Sequence, residues 1–320
     1  MKTLERARAH SLSRFRSAPG DSRLRLSQDG RALLNLGCGG VFTAEWNNFD
    51  AAPSSSLVEP WDAVCGIPFP GSTFDVVYHS HFLEHLTLDL ATFITLECFR
   101  VLKPGGTIRI LVPDLEYSAR LYLEAASRLN QENDGATLEH YEWSVINLVD
   151  QMTRVAPGGE MLPFLSSPTL TDLEYVVRTG GGPEVRSIRS PNTTARSFFD
   201  RALRAVLEPR RVVRRLKAAL HPRSAEATGE LHRWAYDVYS LSSLLTMCGF
   251  SEVVRRTETE SGIEDWRRLS LDVTAAGETR KPHSLVLEAR RGYPETPSGS
   301  TTAGGYPHPS PSPGSQQDAE

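Results

Sequence analysis

Cysteine is scarce in this 320-residue chain: Cys38, Cys65, Cys98 and Cys248 are widely spaced and form no CxxC pair. That spacing excludes a zinc knuckle and a dense disulfide framework, and a reducing, cytoplasmic setting fits it best. No run of about 18 apolar residues occurs, so no membrane-spanning helix is expected. The basic start, MKTLERARAHSLSRFRSAPG, lacks the apolar stretch of a signal peptide. Its Arg and Ser content resembles a transit peptide, but Glu5 and Asp21 oppose that, and residues 1–30 read as a basic N-terminal arm. Charge of one sign is also lacking. A net charge of −4 provides no overall pull toward nucleic acid, and no nucleic-acid partner is expected. No internal repeat is visible.

With 39% hydrophobic and 23% charged residues, the chain has the material for one sizeable core and an insertion. From Arg31 onward, short apolar runs alternate with helix-length amphipathic segments, the signature of an α/β sheet. Strands are expected at ALLNL (Ala32 to Leu36), ending at Asp50, near Leu57 to Asp62, at Phe74 to Ser80 and at Thr107 to Pro113. A helix over Leu88 to Leu102 should end at KPGG, where Pro104 and two glycines turn the chain. Helical pattern continues through LEYSARLYLEAASRLN and LEHYEWSVINLVDQMTRV, and sheet signals return only with the helix Tyr239 to Phe250 and strands SEVVRRTET and SLVLEARR. The expected organisation is a core of 31–130 and 230–291, a helical cap inserted at 131–229, and a Pro/Ser/Gly-rich tail at 292–320 too poor in apolar residues to order itself.

The first strand runs directly into Gly37, Cys38, Gly39 and Gly40. Missing Cβ atoms there let backbone amides approach a ligand at the strand's carboxyl end. A dinucleotide fingerprint, G-x-G-x-x-G, would place its third glycine where Phe42 stands, which argues against a dehydrogenase. An acid ending the second strand, Asp50, can accept hydrogen bonds from ribose hydroxyls. On these residues alone, the glycines could equally make a plain turn and Asp50 cap a helix.

Two longer segments, DAVCGIPFPGSTFDVVYHSHFLEHL and ECFRVLKPGGTIRILVPD, resemble the class I S-adenosylmethionine-dependent methyltransferases in order and spacing. The resemblance implies a Rossmann-like sheet of seven strands, mostly parallel with one antiparallel, and S-adenosyl-L-methionine as cofactor. It further implies that Gly37, Cys38 and Gly39 wrap the methionine moiety, that Asp50 binds the ribose, and that Asp62 with Ala63 reaches the adenine. The segment from His79 and Ser80 to His85 would line the methyl-transfer site. The YHSHxLEHL run, HRWAYDVYSL, GGEM at Gly158 and RRLSLDV…KPHSLVLEA resemble bacterial methyltransferases associated with polysaccharide biosynthesis, which implies a small-molecule or glycan acceptor. The rivals are methylation of another small molecule, such as a natural product, and a catalytically silent binding module. One departure from the class is the short stretch between Gly40 and WNNFD, which leaves room for a first helix of a turn or two at most.

Methyl transfer to a sugar hydroxyl benefits from a general base, and histidine is the natural choice. His81 and His85 would share one helix face if their segment is helical. For His85 the competing role is a backbone hydrogen bond holding the loop, with Glu84 solvated or ion-paired. Asp114 either faces the pocket or begins the next helix. The HExxH order is absent, and no metal is expected. In the cap, Trp143, Asp150, Gln151, Arg154 and Glu160 are possible substrate contacts, and Trp234, Tyr236 and Tyr239 a stacking platform or core packing. The basic run Arg196 to Arg215 reads as a solvated face, with weak membrane-surface contact as its alternative. The oligomeric state is not legible.

Overall fold

A computed structural model describes residues 24–132, 134–180, 185 and 224–293. The basic run and residues 294–320 of the expected tail lie outside the described residues, as does most of the N-terminal arm. The strands are β1 (Leu33–Leu36), β2 (Asn47–Asp50), β3 (Val58–Pro60), β4 (Phe74–Ser80), β5 (Leu102–Pro113), β6 (Phe250–Arg256) and β7 (Ser284–Arg291). They form one sheet in the order β3-β2-β1-β4-β5-β7-β6, with β7 antiparallel to both its neighbours. This is the Rossmann-like methyltransferase arrangement. The chain leaves β1 for β2 on one side and crosses to β4 on the other, so the carboxyl ends of β1 and β4 flank the point where the connections reverse. Such a point opens a crevice in a parallel sheet.

β1 is buried along its whole length, which is why it reads as a mainly apolar run; its one polar residue, Asn35, donates to Val41 O and Asn48 Oδ1. Edge strand β3 stops at Pro60, whose missing N–H a central strand would not tolerate. Helix α1 (Leu88–Val101) packs Ala91, Phe93, Ile94, Cys98 and Val101 into the main core beside β4 and β5. KPGG does not turn the chain between helix and strand as expected. The helix already ends at Val101, β5 pairs from Leu102, and the register jumps from Phe74↔Leu102 to Val76↔Thr107. Residues 103–106 are thus a bulge inside the strand, because Pro104 has no N–H for the ladder. Lys103 Nζ pins the bulge to Asp75 at 2.8 Å.

The short connection between β1 and β2 contains turns but no helix. The sheet face such a helix would cover is filled by Trp46, fully buried, with Trp266, Leu269 and Leu271 from the β6–β7 connection. Trp46 stands edge-on to Tyr78 and Trp266, and its indole N–H donates to Leu269 O at 3.2 Å. Deeper on this side, Arg109 has no exposed surface. It pairs with Asp272 and Glu288, each at 2.7 Å, and lies 4.6 Å above the Trp266 ring.

Helices α2 (Leu115–Glu132), α3 (Gly135–Thr153), α4 (Met161–Ser166) and α5 (Leu173–Arg178) build a layer over the strand ends. They share a separate apolar cluster of Leu121, Trp143, Leu165, Leu170, Tyr175, Val176 and Val185. Leu121 comes from α2, so this small core draws on chain before the expected cap boundary at 131. A short helix α6 (Ala225–Thr228) precedes the return to the sheet through α7 (Val238–Met247), capped by Asp237 in a reciprocal box with Ser240. Helix α7 stops before Phe250, which opens β6 instead. The one-turn helix α8 (Trp266–Leu269) supplies the covering described above.

Candidate active site

The loop leaving β1 is shaped by glycine at two positions. Gly37 has φ +59°, and a Cβ there would lie 2.5 Å from the Phe82 ring. Gly39 has φ +52° and nothing within 4 Å of its would-be Cβ, so the chain is open to a ligand on that side. Asp50, ending β2, accepts from Gly39 N and Ala52 N, both at 2.8 Å, and so ties the loop to the neighbouring strand. Asp62 caps the turn Ala63–Cys65 by accepting from Val64 N at 3.0 Å.

Gly37, Cys38, Gly39, Ser80 and His81 line one cleft of about 330 Å³, closed on the far side by Asp272, Arg280 and Lys281. Asp62 lies in a different cleft, beside Trp61, Cys65 and Phe69. Burial and the nearby Asp50 carboxylate push the Cys38 thiol up to about 12. His79 is fully buried, with neither ring nitrogen hydrogen-bonded, and burial holds its pKa at about 3. It faces the Phe82 ring edge at 5.6 Å.

Beyond β4 the chain enters a single 3-10 turn, Leu83–His85, after His81 adopts φ +49°. A non-glycine residue in that region is strained by roughly 1–3 kcal/mol. His81 N donates to Leu111 O at 2.9 Å, holding the turn on β5. The His81 ring joins Ser284 Oγ through Nε2 at 2.9 Å and lies 3.4 Å from Glu84 Oε1 through Nδ1. Burial, reinforced by Lys281, His232 and His85, keeps this imidazole well below its ordinary pKa and therefore neutral at pH 7.

His85 donates through Nδ1 to the Leu231 carbonyl at 3.3 Å, which identifies Nδ1 as the protonated nitrogen. Glu84 is neither solvated nor hydrogen-bonded: its side chain is 1% exposed, and burial raises it to about 8. The turn points it inward, where the backbone N–H groups of Arg233 and Trp234 reach its own carbonyl at 2.7 and 3.2 Å. Asp114 is 5% exposed and already engaged, accepting from Glu116 N at the start of α2 and from Arg255, both at 2.9 Å.

His81 and Asp114 line a second cavity of about 190 Å³ between the strand ends and the cap, with Ser118, Asn147, Gln151 and Thr179. Arg280, Lys281 and His81 border both this cavity and the glycine-loop cleft. His232, Arg280 and Lys281 were not singled out in the sequence. They stand far from the glycine loop along the chain, in or beside the HRWAYDVYSL and KPHSLVLEA segments, and only the fold brings them to the strand ends.

Among the suggested cap residues, Trp143 is fully buried and donates to Thr179 Oγ1 at 2.9 Å. Asp150 pairs with Arg154 and accepts from Glu160 N, so these three brace the cap internally. Gln151 reaches the cavity. Tyr236 is buried in the main core, whereas Trp234 and Tyr239 are exposed.

Residues 61–110, which carry β4, the histidine-bearing turn, α1 and most of β5, match a family model described as a methyltransferase domain. No curated protein sequence matches the chain. Among solved structures, it is similar to an S-adenosylmethionine-dependent methyltransferase from Archaeoglobus fulgidus at 13% identity, over 90% of this chain and 93% of that one, with a TM-score of 0.34. A second, from Methanosarcina mazei, is 15% identical over 81% and 92% of the two chains, with a TM-score of 0.35. A third, from Mesorhizobium loti, is 16% identical over 90% and 96%, with a TM-score of 0.32. The fold follows from the strand order β3-β2-β1-β4-β5-β7-β6 itself. No helix among the described residues is long and apolar enough to cross a membrane.

Proposed function

We propose that this protein transfers a methyl group from S-adenosylmethionine to a hydroxyl oxygen of a sugar or glycan precursor. The observation that carries the reading is the junction at His81 between the glycine-loop cleft and the cavity under the cap. The residues present fit the cofactor: Gly39 leaves its backbone open, Asp50 stands at the end of β2 beside it, and the cleft has the size of a small-molecule site. When bound there, the cofactor supplies an electrophilic methyl group on a sulfonium.

Gly37, Cys38 and Gly39 with Ser80 would hold its amino-acid end, where Arg280 and Lys281 offer positive charge to a carboxylate. Asp50 would take the ribose hydroxyls, exchanging its bond from Gly39 N for theirs. Asp62, with Ala63 and the buried His79, would shape the adenine side. The cap cavity presents Ser118, Asn147, Gln151, Thr179 and Ser284, a density of hydrogen-bonding groups that suits a polyhydroxylated acceptor over an apolar one.

Displacement at a methyl carbon gains most from alignment and exclusion of water, which the cap provides. His81, neutral and at the junction, would accept the acceptor's proton. Asp114, with its carboxylate engaged, would hold Arg255 and the start of α2, and His85 would brace the turn against Leu231. Calorimetric titration with S-adenosylmethionine and its demethylated product tests the cofactor. Radiolabelled transfer into nucleotide-sugar and glycan extracts tests the acceptor. Binding without incorporation into any pool would favour a silent module, and incorporation only into other small molecules would overturn the glycan reading.

A further inference from the structure

The side chains around Glu84 form a second chemical centre beside the His81 junction. Glu84, His85 and His232 place one potential ligand atom each within 4.8 Å of one another. Glu84 is buried, yet neither of its carboxylate oxygens has a hydrogen-bond partner. A buried carboxylate without donors is costly; imidazoles crowd it, with the Lys281 charge also acting on it. The His81 Nδ1 lies 3.4 Å from Glu84 Oε1. The Tyr236 hydroxyl, also buried and without a hydrogen-bond partner, belongs to the same neighbourhood: burial raises its pKa, and the Glu84 carboxylate raises it further.

The imidazoles are prepared as ligands. His85 engages the Leu231 carbonyl through Nδ1, which leaves Nε2 free to face Glu84 at 4.0 Å. An imidazole oriented by a carbonyl on its other nitrogen is the usual arrangement at metal centres. His232 is fixed through its backbone N–H to Gln151 O at 2.8 Å, and its ring meets that of His85 edge-on at 4.7 Å.

We propose that Glu84, His85 and His232 bind a divalent first-row transition-metal ion. Two imidazoles and one carboxylate suit zinc or cobalt, whereas magnesium and calcium prefer all-oxygen sets. Bonds of about 2.0–2.2 Å to a tetrahedral ion require donors about 3.4 Å apart, so His85 Nε2 and Glu84 Oε1, 4.0 Å apart, close only slightly on loading. His85, with a quarter of its side chain exposed, has room for that rotation. The HExxH order is absent because the donors come from two segments, one after β4 and one after the cap. Glu84 and His232 also line a small cavity with Ser118, Asn147, Gln151 and Trp234, so open coordination positions would face an oxygen ligand on the acceptor side. Metal binding stands independently of the methyl-transfer reading; only the acceptor role rests on it.

The test uses the full chain, stripped with EDTA and titrated with ZnCl2 by calorimetry and with CoCl2 by visible absorption. One equivalent of Zn2+ is expected, along with the d–d bands of a low-symmetry cobalt site. Glu84→Gln and His232→Ala should each weaken binding by at least about 100-fold, since even outer partners of ligands cost 10–100-fold. The cap variant His140→Ala, which controls for adventitious histidine binding, should bind like wild type. Should a ligand variant fail to fold, anomalous scattering from zinc-soaked wild-type crystals must place the ion at Glu84. No uptake by wild type, equal affinity in folded ligand variants, or an ion located elsewhere would overturn the proposal. S-adenosylmethionine binding measured before and after EDTA reports separately on the cofactor reading.

Discussion

Replacing Gly37 and Gly39 by alanine, one at a time, separates the packing of the glycine loop from its proposed use. Both residues have positive φ, which costs an L side chain about 1–2 kcal/mol. At Gly39 that is the whole cost, because the added methyl meets nothing within 4 Å. At Gly37 the methyl would lie 2.5, 2.8 and 3.0 Å from Phe82 Cδ2, Cγ and Cβ. Phe82 cannot swing away freely, since it stands against Trp61 at 5.8 Å and His79 at 5.6 Å. Overpacking adds about 1–3 kcal/mol. Gly39→Ala should therefore lose roughly 1–2 kcal/mol and Gly37→Ala roughly 2–5, each kcal/mol lowering the melting temperature by about 1–2 °C at this chain length. In binding the order should reverse relative to stability. The Gly39→Ala methyl projects into the cleft, and S-adenosylmethionine affinity should fall at least about 10-fold, or about 1.4 kcal/mol. Differential scanning fluorimetry and calorimetric titration measure the two effects. Unchanged affinity in Gly39→Ala would refute the loop as a cofactor surface, and equal melting temperatures for the two variants would refute the Phe82 packing argument.

Arg109→Ala strips the partner from the buried Asp272 and Glu288 and should cost about 3–5 kcal/mol in urea unfolding; a loss below about 1 would show that the pair is not buried as described. His81→Ala should lower kcat by about 10²–10⁴ with a much smaller change in KM for the acceptor, and an unchanged kcat would remove it as the base. His79, held at about 3 against an ordinary 6.5, leaves stability unaffected by it above pH 6.5. As pH falls the unfolded chain takes up the proton first, so about 2 kcal/mol should be lost by pH 5, and His79→Leu should abolish that part of the slope. Alkylation by iodoacetamide at pH 8 followed by peptide mass spectrometry should mark exposed Cys65 well before the buried Cys38, Cys98 and Cys248, and early labelling of Cys38 would show that the loop opens.

The sequence alone determined the class of fold and where β1, β2, β4, β5 and β7 end, while β3 and β6 stop short of their expected ends, at Pro60 and Arg256. Short, mainly apolar runs such as LLNL announce strands buried on both faces, and glycines after them or an acid at their last position mark carboxyl ends. Periodicity is local, so it survives without coordinates. The KPGG segment misled because proline and glycine signal a break in the ladder without saying whether the chain turns or bulges, and pairing with β4 decided for a bulge. Only the tertiary structure decided what the β1–β2 connection lacks, since the Trp46 and Trp266 cluster covers the sheet from segments far apart in the chain. It likewise turned Glu84, which reads as a surface acid in HFLEHL, into a buried carboxylate facing His85 and His232. Burial and long-range approach depend on how layers pack, and no short stretch of sequence encodes them; the loop at Gly37 was legible, while the histidine and carboxylate cluster beside it became so only when the cap and the strand ends closed around it.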